Sequence, residues 1–211
     1  MNRIVSTVWL SLVACQACAG EMKKLSYDCE KWTEGEPPAE VFVVDGTIRI
    51  KEKDGNKAIE IGSDPLADAC ALLGSPANGS ASIQARVFAS KSGRSYPRFG
   101  IGVHGQSGYR LIVLCAKKEL QLVKNEQVIK SVPCEWTSDV WMNLKLAVLK
   151  DAQGNWSIRG KAWTAAAAEP VEPQIKHEDS TLKGQGKCSI WGTPFSGTPI
   201  YFDDMKLEVE G

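Results

Sequence analysis

The chain has no excess of charge of either sign: Lys plus Arg is 25 and Asp plus Glu is 25 in 211 residues. Nucleic-acid binding draws much of its affinity from cations set against phosphates, so a balanced chain argues against that class of partner. No polybasic run marks it for an anionic membrane surface either. Histidine is scarce, with only His104 and His177. There is no G-x-S-x-G elbow, and no cysteine stands in a recognisable Cys–His setting, so nucleophilic catalysis finds no obvious machinery. The one C-x-x-C, Cys15 to Cys18, lies at the start of the chain, which leaves no paired spacing for zinc. No segment reads as an amphipathic helix. The apolar stretch Ile4–Ala14 has 11 residues, too few to cross a bilayer as an ordinary helix. Disorder is excluded from the other direction, because 43% apolar content is enough for a globular core.

What stands at the beginning is an export signal. Met1-Asn2-Arg3 supplies a short positive region and Ile4–Ala14 the apolar one. Two processing routes fit. Ala17-Cys18-Ala19 before Gly20 suits ordinary signal peptidase, whereas Leu12-Val13-Ala14-Cys15 resembles a bacterial lipobox at all four positions and is the preferred expectation. Cys15 is then the lipidation site, and the chain meets a membrane only through that anchor. Export also favours disulfides. Of seven cysteines, lipidation at Cys15 leaves six available for pairing, whereas cleavage after Ala19 leaves five. The expected organisation is an export signal over 1–19, a tether over 20–28 and one domain over 29–211.

From Val41 onward the pattern is of short strands separated by turn residues. Ser80–Ala89 puts Ile83, Ala85 and Val87 on one face and Ser82, Gln84 and Arg86 on the other. Asn143–Leu149 does the same with Leu144, Leu146 and Val148. Arg98–His104, Tyr109–Cys115, Glu119–Lys124 and Gln127–Val132 read as a meander. Trp156–Trp163, Cys188–Gly192 and Ile200–Val209 follow. The segment AAAAEPVEP, 165–173, reads as an exposed loop because of Pro170 and Pro173, and the KHEDS stretch around His177 as a solvated one. About a dozen strands in this rhythm predict an all-β, antiparallel, two-sheet sandwich.

Several short strings then carry a resemblance. Trp32, Gly35 and Pro38 form a W-x-x-G-x-x-P opening, and GIGVHGQSGYRL runs from Gly100 to Leu111. Trp136, Trp141, Leu144, Lys145 and Leu146 make a W-x-x-x-x-W-x-x-L-K-L strand, and GKAW and YFDD follow. In this order they resemble the concanavalin A-like (laminin G-like) jelly-roll sandwiches of exported bacterial proteins. The resemblance implies a non-catalytic module that binds carbohydrate or mediates cell-surface contacts with another protein. It leaves two alternatives open: a sugar-active hydrolase with an unrecognised site, and a structural domain of an envelope complex. The superfamily's glucanase signature, E-x-D-x-x-E, is not met. Its nearest string, Glu52-Lys53-Asp54-Gly55-Asn56-Lys57, lacks the final acid and is broken by a turn.

Alternation assigns the candidate site. If Phe99, Ile101 and Val103 face the core, Arg98, Gly100, Gly102 and His104 share the opposite face. Two glycines between polar side chains leave bare backbone for a ligand, or for a neighbouring strand to approach. Trp191, read as lying beside a loop, is the candidate aromatic platform. Asp203 and Asp204 resemble the acidic pair in the last strand of many carbohydrate-binding sandwiches, where calcium can be coordinated. That makes calcium the one cofactor to consider, although adjacent residues in a regular strand point to opposite faces.

Overall fold

The structure, a computed structural model, describes residues 20–64 and 68–211. The export signal and Cys15 lie outside the described residues. In chain order the strands are β1 Met22–Tyr27, β2 Val41–Asp45, β3 Ile48–Lys53, β4 Asn56–Ile61, β5 Ala69–Ala77, β6 Ala81–Ala89, β7 Arg98–Val103 and β8 Tyr109–Leu114. A single 3-10 turn over Cys115–Lys117 precedes β9 Glu119–Lys124 and β10 Gln127–Pro133. Then come β11 Met142–Lys150, β12 Trp156–Thr164, β13 Ile175–Asp179, β14 Gly186–Thr193 and β15 Ile200–Glu210.

They form two antiparallel sheets packed face to face. One runs β13-β12-β11-β6-β15-β4-β3, and the other β10-β9-β8-β7-β14-β5-β2. Strand β15 pairs with β6 along one side. On its other side, Ile200–Phe202 pair with β4 and Met205–Glu210 with β1, so the two ends of the described chain meet in one sheet.

Period-two alternation explains the layers. In β11 and β12, Leu144, Leu146, Val148 and Ile158 are fully buried, while Asn143, Lys145 and Arg159 face out. They meet Leu73, Phe99, Ile101, Leu111, Leu122 and Ile190 of the second sheet. Truncating one such side chain to alanine costs about 2–5 kcal/mol. In β15 the inward positions are Ile200, Phe202, Met205, Leu207 and Val209, and one extra residue interrupts the alternation. The register shifts between Asp203 and Lys206, with Asp204 at φ 48°: this is a β-bulge. Without it, Met205, Leu207 and Val209 would face solvent.

Three expectations need correcting. Residues 22–27, within the expected tether, form β1, because Leu25 and Tyr27 pack on the core and Tyr27 meets Trp32 at 5.5 Å. The KHEDS stretch, 176–180, read as a solvated loop, lies for all but its last residue in the edge strand β13, anchored by fully buried Ile175. The expected disulfides are not formed among the described residues. Cys29, Cys70, Cys115 and Cys188 are buried free thiols and Cys134 is a half-buried one. Burial pushes Cys29, Cys70 and Cys188 up to about 12, so each behaves as a small apolar side chain.

Candidate functional site

The outer face of the seven-stranded sheet is assembled by register. Ser189, Trp191 and Thr193 of β14 stand opposite Gly102, Gly100 and Arg98 of β7. On the other flank of β7, the same three residues stand opposite Arg110, Ile112 and Leu114 of β8. The structure therefore brings Arg98, Gly100, Gly102 and Trp191 together on one face. Trp191 lies within β14, as the expected strand Cys188–Gly192 had it.

The glycines serve this arrangement without leaving an empty trough. A Cβ on Gly100 would lie 2.4 Å from the Leu111 carbonyl oxygen, so β8 approaches as closely as it does only because β7 has no side chain there. A Cβ on Gly102 would lie 2.5 Å from Ser189 Oγ and 3.2 Å from Trp191 Nε1. The indole fills that space. Its Nε1 donates to Ser189 Oγ at 2.8 Å, which fixes the ring's direction, and the ring remains half-buried. The Arg110 guanidinium lies 4.4 Å from the indole centroid and completes a cation–π pair.

Arg110 is 4% exposed, and it donates to the carboxylate of Glu126 in the β9–β10 turn. Its Nε has no partner among the described residues. On the far side of Trp191, Arg98 donates to Asp68 Oδ1 at 2.5 Å and to Thr193 Oγ1 at 3.3 Å, and the Thr193 hydroxyl donates to the same Asp68 oxygen. Burial by itself would raise the Asp68 carboxyl. The bonds from Thr193 and Arg98, with the charges of Arg98 and Arg110, outweigh it and hold the group below the usual carboxylate range. The remaining cavity between Asp68, Arg98, Arg110, Ile112, Trp191 and Thr193 is about 10 Å³, room for roughly one water. The face is thus a platform of one indole ringed by fixed hydrogen-bonding groups.

His104 does not join it. The strand ends at Val103, and His104 turns away with φ at 62°. Its ring is 3% exposed, with Nε2 donating to the Gly79 carbonyl oxygen at 2.8 Å and an edge-on contact to Trp156 at 5.7 Å. Burial lowers its pKa and favours the neutral ring, and with Nε2 as the donor Nδ1 is left an acceptor without a partner among the described residues. His104 contributes to the wall of a different, open cleft of about 360 Å³ at one end of the sandwich, with Ser107, Lys124, Asn125 and Thr181.

The acidic pair is engaged within the chain. The bulge turns both carboxylates toward Arg86, whose NH2 lies 3.4 Å from Asp203 Oδ2 and NH1 3.2 Å from Asp204 Oδ2. Arg86 in turn lies 4.4 Å from the Trp141 ring centroid. The cation held there is a guanidinium. Among the described residues no group of three or more His, Cys, Asp or Glu is placed to hold a metal ion, while calcium takes about six to eight oxygens.

Four members of the platform were not singled out in the sequence: Asp68, Arg110, Ser189 and Thr193. Arg110 had a signal, as the one charged residue in the apolar strand YRLIVL. Asp68, Ser189 and Thr193 had none, because only strand pairing brings them to Arg98 and Trp191.

No protein-family model and no curated protein matches the chain in sequence. Solved structures match its fold. The carbohydrate-binding module CBM66 from Bacillus subtilis superposes with a TM-score of 0.56 at 15% identity, over 82% of this chain and 96% of that one. Lectin II from Ulex europaeus gives 0.54 at 8% identity, over 89% and 97%. A mutant of the alginate lyase Aly36B, in complex with an alginate tetrasaccharide, gives 0.52 at 12% identity, over 89% and 98%. At these identities the likeness is one of fold: the chain is an antiparallel β-sandwich of the kind found in carbohydrate-binding modules, lectins and a polysaccharide lyase.

Proposed function

We propose that this protein is an exported, non-catalytic carbohydrate-binding module, and that its sugar platform is the outer face of the seven-stranded sheet around Trp191. The observation that carries the reading is the indole itself. It lies over a glycine strip, is oriented by Ser189 and is flanked by Arg98, Asp68, Thr193 and Arg110. A pyranose presents an apolar C–H face and a rim of hydroxyls. An aromatic surface edged by fixed donors and acceptors matches both, and the buried network holds those groups in place before the ligand arrives. The fold likeness to a carbohydrate-binding module and a lectin supports the same reading.

The test is a glycan array with the mature protein, followed by titration of the best ligand. Trp191→Ala should weaken binding about tenfold, or about 1.4 kcal/mol, through loss of the ring on which the sugar stacks. Arg98→Ala should weaken it as well, because planar multi-donor bonding to hydroxyls or acidic groups is lost. An array on which the wild type binds nothing, or on which Trp191→Ala binds as the wild type does, overturns the reading.

A further inference from the structure

A second face carries a different chemistry. On the outside of the eight-stranded sheet, Lys145 stands directly opposite Lys161, and Arg159 directly opposite Lys176. Like charges opposed across an antiparallel pair are destabilising, so two such pairs side by side are an arrangement that folding alone does not favour. The loop between β12 and β13 relieves it. Glu169 accepts from Lys145 at 3.1 Å and from Lys161 at 2.7 Å, and Glu172 accepts from Lys176 at 2.6 Å. The loop is also tied to the sheet by Gln174, whose side chain donates to the Ala162 carbonyl oxygen at 2.6 Å and accepts from the Ala162 N–H at 3.2 Å. Of these four cations, one is left without an acid among the described residues. Arg159 is exposed, and its polar contact among the described residues is a single bond from Nε to Ser157 Oγ at 3.2 Å.

The surface is grooved at this point. Two clefts, of about 190 and 370 Å³, adjoin here, since both have Arg159, Pro173 and the 90% exposed Val171 in their walls. One acid of the sheet itself, Glu178, stands in the wall of the larger cleft.

We infer that this groove is a binding site for an acidic polysaccharide, with the carboxylates of Glu169 and Glu172 occupying the positions that the ligand's own carboxylates take when it binds. The groove's cations already pair with carboxylates, and the two come from residues three apart in the loop between β12 and β13, a pair of acid groups such as a polyuronate chain repeats along its length. Binding exchanges intramolecular ion pairs for intermolecular ones and engages Arg159, whose fork of donors suits a carboxylate. Nucleic acid fits less well. The groove has no Trp, Tyr or Phe in its walls, only the imidazole of His177, and the chain as a whole carries no positive excess. The inference concerns a face other than the Trp191 platform and stands or falls apart from it.

The experiment is titration of the mature protein with polygalacturonate, beside dextran, a DNA duplex and anionic phospholipid vesicles. Polygalacturonate should bind, with an affinity that falls as salt is raised, and dextran should not bind at this groove. Glu169→Gln combined with Glu172→Gln should tighten polygalacturonate binding by about two- to tenfold, since the three ion pairs of Glu169 and Glu172 no longer compete. Arg159→Gln should weaken it. Arg159 is exposed and makes one internal bond, so this variant tests the site even if the double variant folds poorly. Trp191→Ala should leave the binding unchanged, which separates this site from the platform. A wild type that ignores polygalacturonate overturns the inference. So does a folded double variant that binds no tighter, or binding to DNA or vesicles equal to or stronger than that to polygalacturonate.

Discussion

Replacing Gly102 with alanine isolates the steric logic of the platform. The φ of Gly102 is not in the left-handed region, so alanine is conformationally permitted, and by chain entropy alone it would stabilise by about 0.4–1 kcal/mol. The space is the obstacle. The new Cβ would lie 2.5 Å from Ser189 Oγ, 3.2 Å from Trp191 Nε1 and 3.2 Å from the Tyr109 carbonyl oxygen. Ser189 is fully buried, so its hydroxyl cannot swing out to water, and any rotation takes away the acceptor of Trp191 Nε1. Overpacking of this kind costs about 1–3 kcal/mol, and the lost hydrogen bond about 0.5–1.5 kcal/mol. The net expectation is a loss of about 1–3 kcal/mol for Gly102→Ala, and more for Gly102→Val, whose better strand propensity returns at most about 1 kcal/mol. Urea unfolding followed by circular dichroism measures it, with the slope of the transition unchanged and the midpoint lowered. The double variant Gly102→Ala with Ser189→Ala removes the nearest clashing atom, so it should be less destabilised than the sum of the two single variants. A Gly102→Ala protein as stable as the wild type would refute the reasoning, since Gly102 would then be replaceable and the indole's seat would not depend on it.

The Asp203 carboxyl, buried on β15, is pushed up to about 6 by burial and by the charge of Asp204, against the Asp204 N–H bond and the Arg86 charge. The folded state therefore takes up a proton before the unfolded chain does. Asp203 should thus add stability as pH falls from about 7 through 6 toward 4, by roughly 2–3 kcal/mol at most. Thermal melts across that range should show the rise in the wild type relative to Asp203→Asn; parallel profiles would exclude it. At the start of the chain, Cys15→Ala should release the protein from membranes into the periplasm or medium. Mass spectrometry showing an unmodified mature N-terminus at Gly20 would instead assign ordinary signal peptidase.

How much of this molecule could be read without its structure follows the range of the interactions involved. The two-sheet sandwich was legible because burial on one face imposes a period of two within a strand, and β11, β12 and β6 as far as Val87 carry that period. Strands that depend on distant partners were not. β1 and β13 are short and rich in charge, and each is a strand because a neighbouring strand and a few core residues hold it, which no local pattern announces. The bulge in β15 lies between these cases. The sequence has the inward residues Phe202 and Met205 three apart, a visible break in the alternation, yet that both aspartates then turn to Arg86 depends on the pairing of β15 with β6.

The site divides in the same way. Alternation along Arg98–Val103 placed Arg98, Gly100 and Gly102 on one face, and the structure agrees. It failed at His104, where the backbone leaves the strand and a periodicity argument no longer applies. The sequence by itself determined the all-β class, the inward faces of the long strands and the glycines of β7, because each rests on neighbours within a few residues. Only the tertiary structure decided that Trp191 fills the space those glycines leave, that Asp68, Arg98 and Thr193 form one network, and that Glu169 and Glu172 cover a row of opposed cations. Those facts are set by strand register, and register is fixed by packing between residues far apart in the chain.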